Sequence, residues 1–358
     1  MLNKIHTVAA LMAMFTLVRI SAVHGSTLQR TQENVVIPLA EVMAYLGFDT
    51  AQEEMLRRGQ ILSKSITNRE KTDRELAIAS VMIVVRRPLE EVAAVFLRGD
   101  SFRVYENVRQ LHEITHQGAA TGTAAEFDGI RFAAQEKRDE SRLSKSVPGN
   151  TFNLSENEIG LFKNAQKNKP DSADATTKIL RQILYNRYKR YREAGLAGIE
   201  PYARTRGRSV LPGKELRSAL DAMVIAKKHL PGFHRYLVEF PHADSNGMDS
   251  KFYWLKLHMA SRPNFALVHQ HADIAEDYAV VVEKIYYSLH TLDSSLVIIG
   301  CLPCEEGATV FYMNHLFTEK VSGFGSSWKK KAGKKVLSKS VSAYFGRLRE
   351  KMEGSQSE

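Results

Sequence analysis

Cysteine is almost absent from this chain. Two residues in 358, Cys301 and Cys304, exclude a disulfide framework as the main support of the fold and leave that task to a hydrophobic core. Long apolar runs are missing as well. Beyond the first 25 residues no stretch approaches the ~20 consecutive apolar residues that a membrane span needs. Carboxylates are under-represented, with 40 Asp and Glu against 50 Lys and Arg and a formal net charge of +10. No Ser-His-Asp or Cys-His constellation stands in a context that would identify a nucleophilic enzyme. What remains is an ordinary globular composition, 44% hydrophobic and 25% charged, long enough for one large domain with an insertion or for two domains.

The first 25 residues read as a signal peptide. Lys4 supplies a positive start, Val8 to Val18 an apolar core, and Val23-His24-Gly25 a small-residue cleavage pattern ahead of Ser26. A single membrane anchor is the competing reading, opposed by an apolar run of about 11 residues that Arg19 interrupts. A secreted or periplasmic address follows. Loss of Lys4 and Arg19 lowers the formal charge from +10 to +8, so the mature chain stays basic. Outside the cytoplasm that charge suits an anionic membrane surface or acidic glycans and proteins, and makes nucleic acid a poor partner. In an oxidising space Cys301-Leu302-Pro303-Cys304 is expected to be a disulfide stapling a hairpin loop rather than a redox site, because its flanks are strands and Glu305 and Glu306 disfavour a neighbouring thiolate.

The stretch from Asp73 to Leu111 organises the rest. Leu76 to Val85 is dense in aliphatic residues and predicts a strand covered on both faces. After Pro88 the period changes: Leu89, Val92, Ala93 and Phe96 fall on one helical stripe, with Glu90 and Glu91 in the first turn. Upstream, Leu39, Val42 and Met43 predict one short helix and Asp49 caps another over 50–58, followed by a strand over 60–67.

His112-Glu113-Ile114-Thr115-His116 is a literal H-E-x-x-H. On a helix it would hold zinc through His112 and His116, with Glu113 as general base and Glu136 as a third ligand. The context opposes this, since the motif runs into the glycine-rich Gly118 to Gly122, and a strand or loop is the expectation. Phe127 to Phe132 is a candidate strand. Ser155 and Glu158 form a capping-box pattern, Asp171 to Tyr202 is a helix with Leu180, Leu184, Tyr188 and Tyr191 on one stripe, and Gly213 to His229 is a further helix. Nine basic residues between Lys178 and Arg208 read as a solvated face, with an anionic surface as the functional option. From Asp249 five strands, separated by turn signals, predict an antiparallel meander, and Ser327 to Met352 a closing amphipathic helix that starts lysine-rich.

The strand entering Arg86-Arg87-Pro88-Leu89-Glu90-Glu91-Val92, the meander and the C-terminal helix together resemble the helix-grip fold of START-like, or polyketide-cyclase-like, domains. Arg58-Gly59-Gln60-Ile61, Arg74-Glu75-Leu76-Ala77 and Asp293-Ser294-Ser295-Leu296 resemble secreted bacterial proteins of that type. The resemblance covers about 60 to 120 and 250 to 352. It implies an α+β fold, an antiparallel sheet wrapped on the C-terminal helix, with a START-like domain over 26–149 and 241–358 and a helical insertion over 150–240. It also implies a cavity for a hydrophobic small molecule or lipid and carries no activity or cofactor with it. On the strand that ends at His290, Val282, Lys284, Tyr286 and His290 form the set with an apolar wall and polar anchors suited to such a ligand. The enzyme alternatives are the zinc peptidase at residues 112–116 and cyclase-like or hydrolase-like chemistry using His290 and Asp293.

Overall fold

The computed structural model describes residues 35–66, 75–98, 107–115, 123–168, 173–245, 247–259, 261–319 and 341–354. The signal-peptide reading, His116 and the lysine-rich start of the C-terminal helix lie outside them.

The fold is α+β, built on one eight-stranded antiparallel sheet. Its strands are β1 (Leu62–Ile66), β2 (Glu75–Val85), β3 (Val108–Ile114), β6 (Asp249–Met259), β7 (Arg262–Ile274), β8 (Ala279–Ser288), β9 (Ser294–Cys304) and β10 (Gly307–Phe317), and a separate two-residue pair forms β4 (Tyr202–Ala203) and β5 (Ser209–Val210). The order across the sheet is β1-β2-β10-β9-β8-β7-β6-β3. Five consecutive strands, β6 to β10, therefore pair with their sequence neighbours, the meander that short turns impose. β2 returns to cover β10.

Residues 80–85 of β2 are buried on both faces, as the aliphatic composition predicts. Val81, Ile83 and Val85 point to one side with Val297, Ile299, Val310 and Tyr312. There they meet α3 (Leu89–Leu97), whose stripe of Leu89, Val92, Ala93 and Phe96 is buried, and the helical stretch 341–354 (α10) through Val341, Tyr344, Phe345 and Leu348. Met82 and Val84 point the other way, into the larger core shared with α1 (Leu39–Tyr45) and the helical segment 150–240. That segment contributes α5 (Glu156–Asn168), α6 (Ala173–Ala194), α7 (Pro212–Asp221), α8 (Val224–His229) and α9 (Pro231–Glu239), preceded in the chain by α2 (Thr50–Arg57) and α4 (Lys137–Ser144). The result is a sheet between two helical layers.

Local signals set several helix ends. Asp49 and Gln52 exchange side-chain and backbone hydrogen bonds at 3.0 Å each at the start of α2. Ser155 and Glu158 do the same for α5, the Ser155 N–H donating to Glu158 at 2.7 Å and the Glu158 N–H to Ser155 Oγ at 3.3 Å.

Three expectations are corrected. Phe127 to Phe132 is not a strand; a 3-10 turn, Ala124–Phe127, carries Phe127 into the core beside Tyr188 of α6. The helix expected over 213–229 is two helices, and Pro231 opens a third, because proline is well suited to a first helical turn. Cys301 and Cys304 are both free: they lie on β9, where residues three apart face opposite sides of a sheet, and the hairpin turn is Glu305-Glu306 instead. Burial pushes the Cys301 thiol up to about 12, so it is an inert core residue. Gly307, with φ of 138° and a Cβ position 2.4 Å from the Val85 carbonyl oxygen, admits no larger residue at that turn.

Candidate functional site

The residues that alternate on β8 separate cleanly. Val281 packs toward α10, whereas Val282, Lys284 and Tyr286 point into the opposite core, beneath α6 and α9. The ligand set expected beside the C-terminal helix thus faces the helical segment 150–240. A β-bulge sharpens the arrangement. Leu267 pairs with Tyr287 and Val268 with Ile285, so Tyr286 is the extra residue and both tyrosines enter the same core.

Cross-strand register completes the group. His269 on β7 lies opposite Lys284, and His271 opposite Val282, while β6 places Phe252 opposite His269 and Ser250 opposite His271. Alternation puts His269 and His271 on one face with their rings 3.6 Å apart. From above, the apolar stripe of α6 lowers Tyr191 onto Tyr286, the rings stacked at 4.0 Å and 12°, and the chain after α9 adds Phe240 at 4.5 Å from the His269 ring. Gly195 at the end of α6 allows this approach: its φ is +56°, and a Cβ there would sit 1.8 Å from the Phe240 carbonyl oxygen.

His269 is hydrogen-bonded on both nitrogens, Nδ1 to the Tyr191 hydroxyl at 3.0 Å and Nε2 to Ser250 Oγ at 2.7 Å. The others are not so well served. Lys284 is wholly buried and donates one hydrogen bond, to the Leu237 carbonyl at 2.8 Å, with the Tyr191 and Phe240 rings about 6 Å from its Nζ. Among the described residues it has no carboxylate partner. Both nitrogens of His271 and the hydroxyl of Tyr286 are buried without a hydrogen-bond partner among the described residues. Burial pulls the Lys284 ammonium down to about 7, and burial together with nearby Lys284 holds His271 well below the ordinary imidazole range. Burial raises the phenols of Tyr191 and Tyr286. The group is a polar chamber whose aromatic walls touch, the rings of Tyr191 and Tyr286 stacked at 4.0 Å and those of Phe252 and His269 at 3.8 Å, and it holds a weakly basic amine and an imidazole with unused capacity for hydrogen bonding.

The remaining sequence-derived candidates lie elsewhere. His290 donates through Nε2 to the Pro263 carbonyl at 2.8 Å and packs edge-on to Phe152, away from Lys284 and Tyr286. Asp293 accepts from Arg204 Nη2 and from the Glu319 N–H, each at 3.0 Å, and so anchors the 150–240 segment to the end of the sheet. His112 and Glu113 lie on β3, an edge strand, so they face opposite sides and lack the helical frame a zinc motif requires. His112 instead pairs with Glu126 at 2.7 Å and stacks on Trp254, and Glu136 is held by Lys256 at 2.6 Å and His258 at 2.8 Å. Among the described residues no group of three or more metal-ligating side chains converges.

The basic run Lys178 to Arg208 is not one face. Arg187 is buried in a two-pronged pair with Glu158, both contacts 2.7 Å, beneath the Tyr287 ring, and Arg204 is buried with Asp293 and Glu319. His269 and His271 escaped the sequence reading although His-Gln-His within a strand is a period-two signal that two imidazoles share a face. Comparison with protein-family models, curated proteins and solved structures finds no match to the chain.

Proposed function

We propose that the protein is an extracytoplasmic binding module for a small hydrophobic molecule with a polar, acceptor-rich head group, received between the sheet and the α6–α9 layer. The START-like resemblance, and the signal peptide that sets the address, belong to this proposal. The observation that carries it is the chamber: Tyr286, both nitrogens of His271, and most of the Lys284 ammonium lack partners within one aromatic enclosure. A buried polar group without a partner costs about 1–3 kcal/mol, and several gathered in one place call for a compensating ligand. Aromatic and aliphatic walls with a few convergent polar groups are the usual make-up of such a site. Lys284 and His271 would receive the head group, and Tyr191, Phe240 and Phe252 would enclose its body. Because the walls of the chamber touch, admission requires the α6–α9 layer to move.

Native mass spectrometry of protein exported by its own leader, joined to uptake of a fluorescent fatty acid, tests this. Retained small molecule or saturable uptake is expected, weakened at least tenfold by Lys284→Met. A wild-type protein that emerges empty and takes up no probe sinks the reading and leaves the chamber as a purely structural feature.

A further inference from the structure

A second site, independent of the chamber, lies on the surface beside α4. Arg138, Ser141, Arg142 and Lys145 follow the i, i+3, i+4, i+7 spacing, so the helix presents them on one side. With Thr151 and Phe152 from the following loop they line a cleft of about 730 Å³. Among the described residues no carboxylate lines it. The nearest acid in sequence, Asp139, receives Arg262 Nε at 2.7 Å and approaches Arg142 only to 3.8 Å. Arg262 itself lies over the Phe152 ring at 5.1 Å, and its Nη2 is buried with no hydrogen-bond partner. Three cations, Arg138, Arg142 and Lys145, thus line a concave surface, and of these only Arg142 has a carboxylate within 4 Å among the described residues.

That arrangement works against the helix that carries it. Like charges four residues apart weaken a helix by a few tenths of a kcal/mol, and Arg138 and Arg142 stand in that relation on a helix of only eight residues. The cleft on the opposite flank of α4, about 370 Å³, shows the ordinary alternative: there Arg131, Lys137, Lys178 and Arg181 are interleaved with Glu140 and Asp174. Concave walls of one sign concentrate counter-ions, and guanidinium groups match the oxygens of phosphate and sulfate in two-pronged fashion. Ser141 and Thr151 add hydroxyl donors, while Phe152 and the exposed Val147 offer an apolar wall.

We infer that this cleft binds a phosphate or sulfate monoester carried on an apolar body, the dianion held by Arg138, Arg142 and Lys145 and the body laid against Phe152. Titration calorimetry of the full chain with phenyl phosphate, phenol serving as the neutral control, tests the inference. Saturable, salt-sensitive binding of phenyl phosphate alone is expected, reduced at least tenfold in R138Q/R142Q and changed less than twofold in R181Q on the other flank. The three substituted side chains are exposed or half-buried, and a thermal melt confirms that the variants stay folded. Flotation with phosphatidic acid vesicles against phosphatidylcholine vesicles separates the source of the ligand. Loss of vesicle binding in R138Q/R142Q assigns a lipid head group, and binding of phenyl phosphate without vesicle binding assigns a soluble ester. Absence of saturable binding, or equal loss in R181Q, overturns the site.

Discussion

The face of the sheet beneath α3 and α10 is filled by Val81, Ile83, Val85, Val281, Val297, Ile299, Val310, Tyr312 and Phe345, whereas the face beneath α6 and α9 sets Lys284, His269, His271 and Tyr286 among its rings. Buried polar groups occur on both sides but are treated differently. On the α3 side the Gln270 amide is satisfied, donating to Glu283 and to the Phe96 carbonyl at 3.2 Å each. On the α6 side both nitrogens of His271 and the hydroxyls of Tyr286 and Tyr287 have no hydrogen-bond partner among the described residues, and the Lys284 ammonium has one. The smaller core, beneath α3 and α10, is thus apolar with its buried amide satisfied, whereas the larger core, beneath α6 and α9, keeps polar groups without partners among its rings.

Truncation on the first face gives the largest expected effect. Phe345→Ala removes a ring that is 1% exposed and meets the Tyr312 ring at 5.2 Å, so it should destabilise by about 3–5 kcal/mol. Urea unfolding followed by tryptophan fluorescence measures it. A loss below about 1 kcal/mol would break the comparison, since this face would then not be a tightly packed core.

Lys284→Met sharpens the contrast from the other side. Between its folded value of about 7 and the ordinary 10.5, the unfolded chain binds a proton at Lys284 that the folded chain releases, so this residue makes stability rise with pH across that window. At ~1.4 kcal/mol per unit the rise between about pH 7 and about pH 9 is ~2 kcal/mol. The variant should lose that slope and be at least as stable as wild type at neutral pH. Denaturation midpoints taken at both pH values decide the matter, and an unchanged slope would mean that the amine is charged and compensated in the folded state.

The smallest effect serves as a baseline away from the chamber. Asp49→Ala removes the cap of α2, which the Gln52 N–H reaches at 3.0 Å, and should cost about 1 kcal/mol while leaving fatty-acid uptake and phenyl phosphate binding unchanged. A thermal melt reads the first, and the binding assays already described read the second.

Local information determined much of this protein. The stripe Leu89, Val92, Ala93, Phe96 was legible because helical periodicity acts within a few residues, and the Asp49 and Ser155 caps because a side chain satisfies its own neighbouring backbone. The meander was legible because short turns leave consecutive strands little choice but to pair, and the aliphatic run of β2 announced that both its faces would be covered. Tertiary structure alone decided the rest. Whether His112 and Glu113 share a helix or alternate on a strand depends on pairing with β6, and whether Cys301 can meet Cys304 depends on how far β9 extends. The bulge at Tyr286, the register that sets His269 against Lys284, and the descent of Tyr191 from a helix some ninety residues earlier in the chain join segments that no window of sequence contains together. Periodicity tells which side chains share a face. Only long-range packing decides what that face meets.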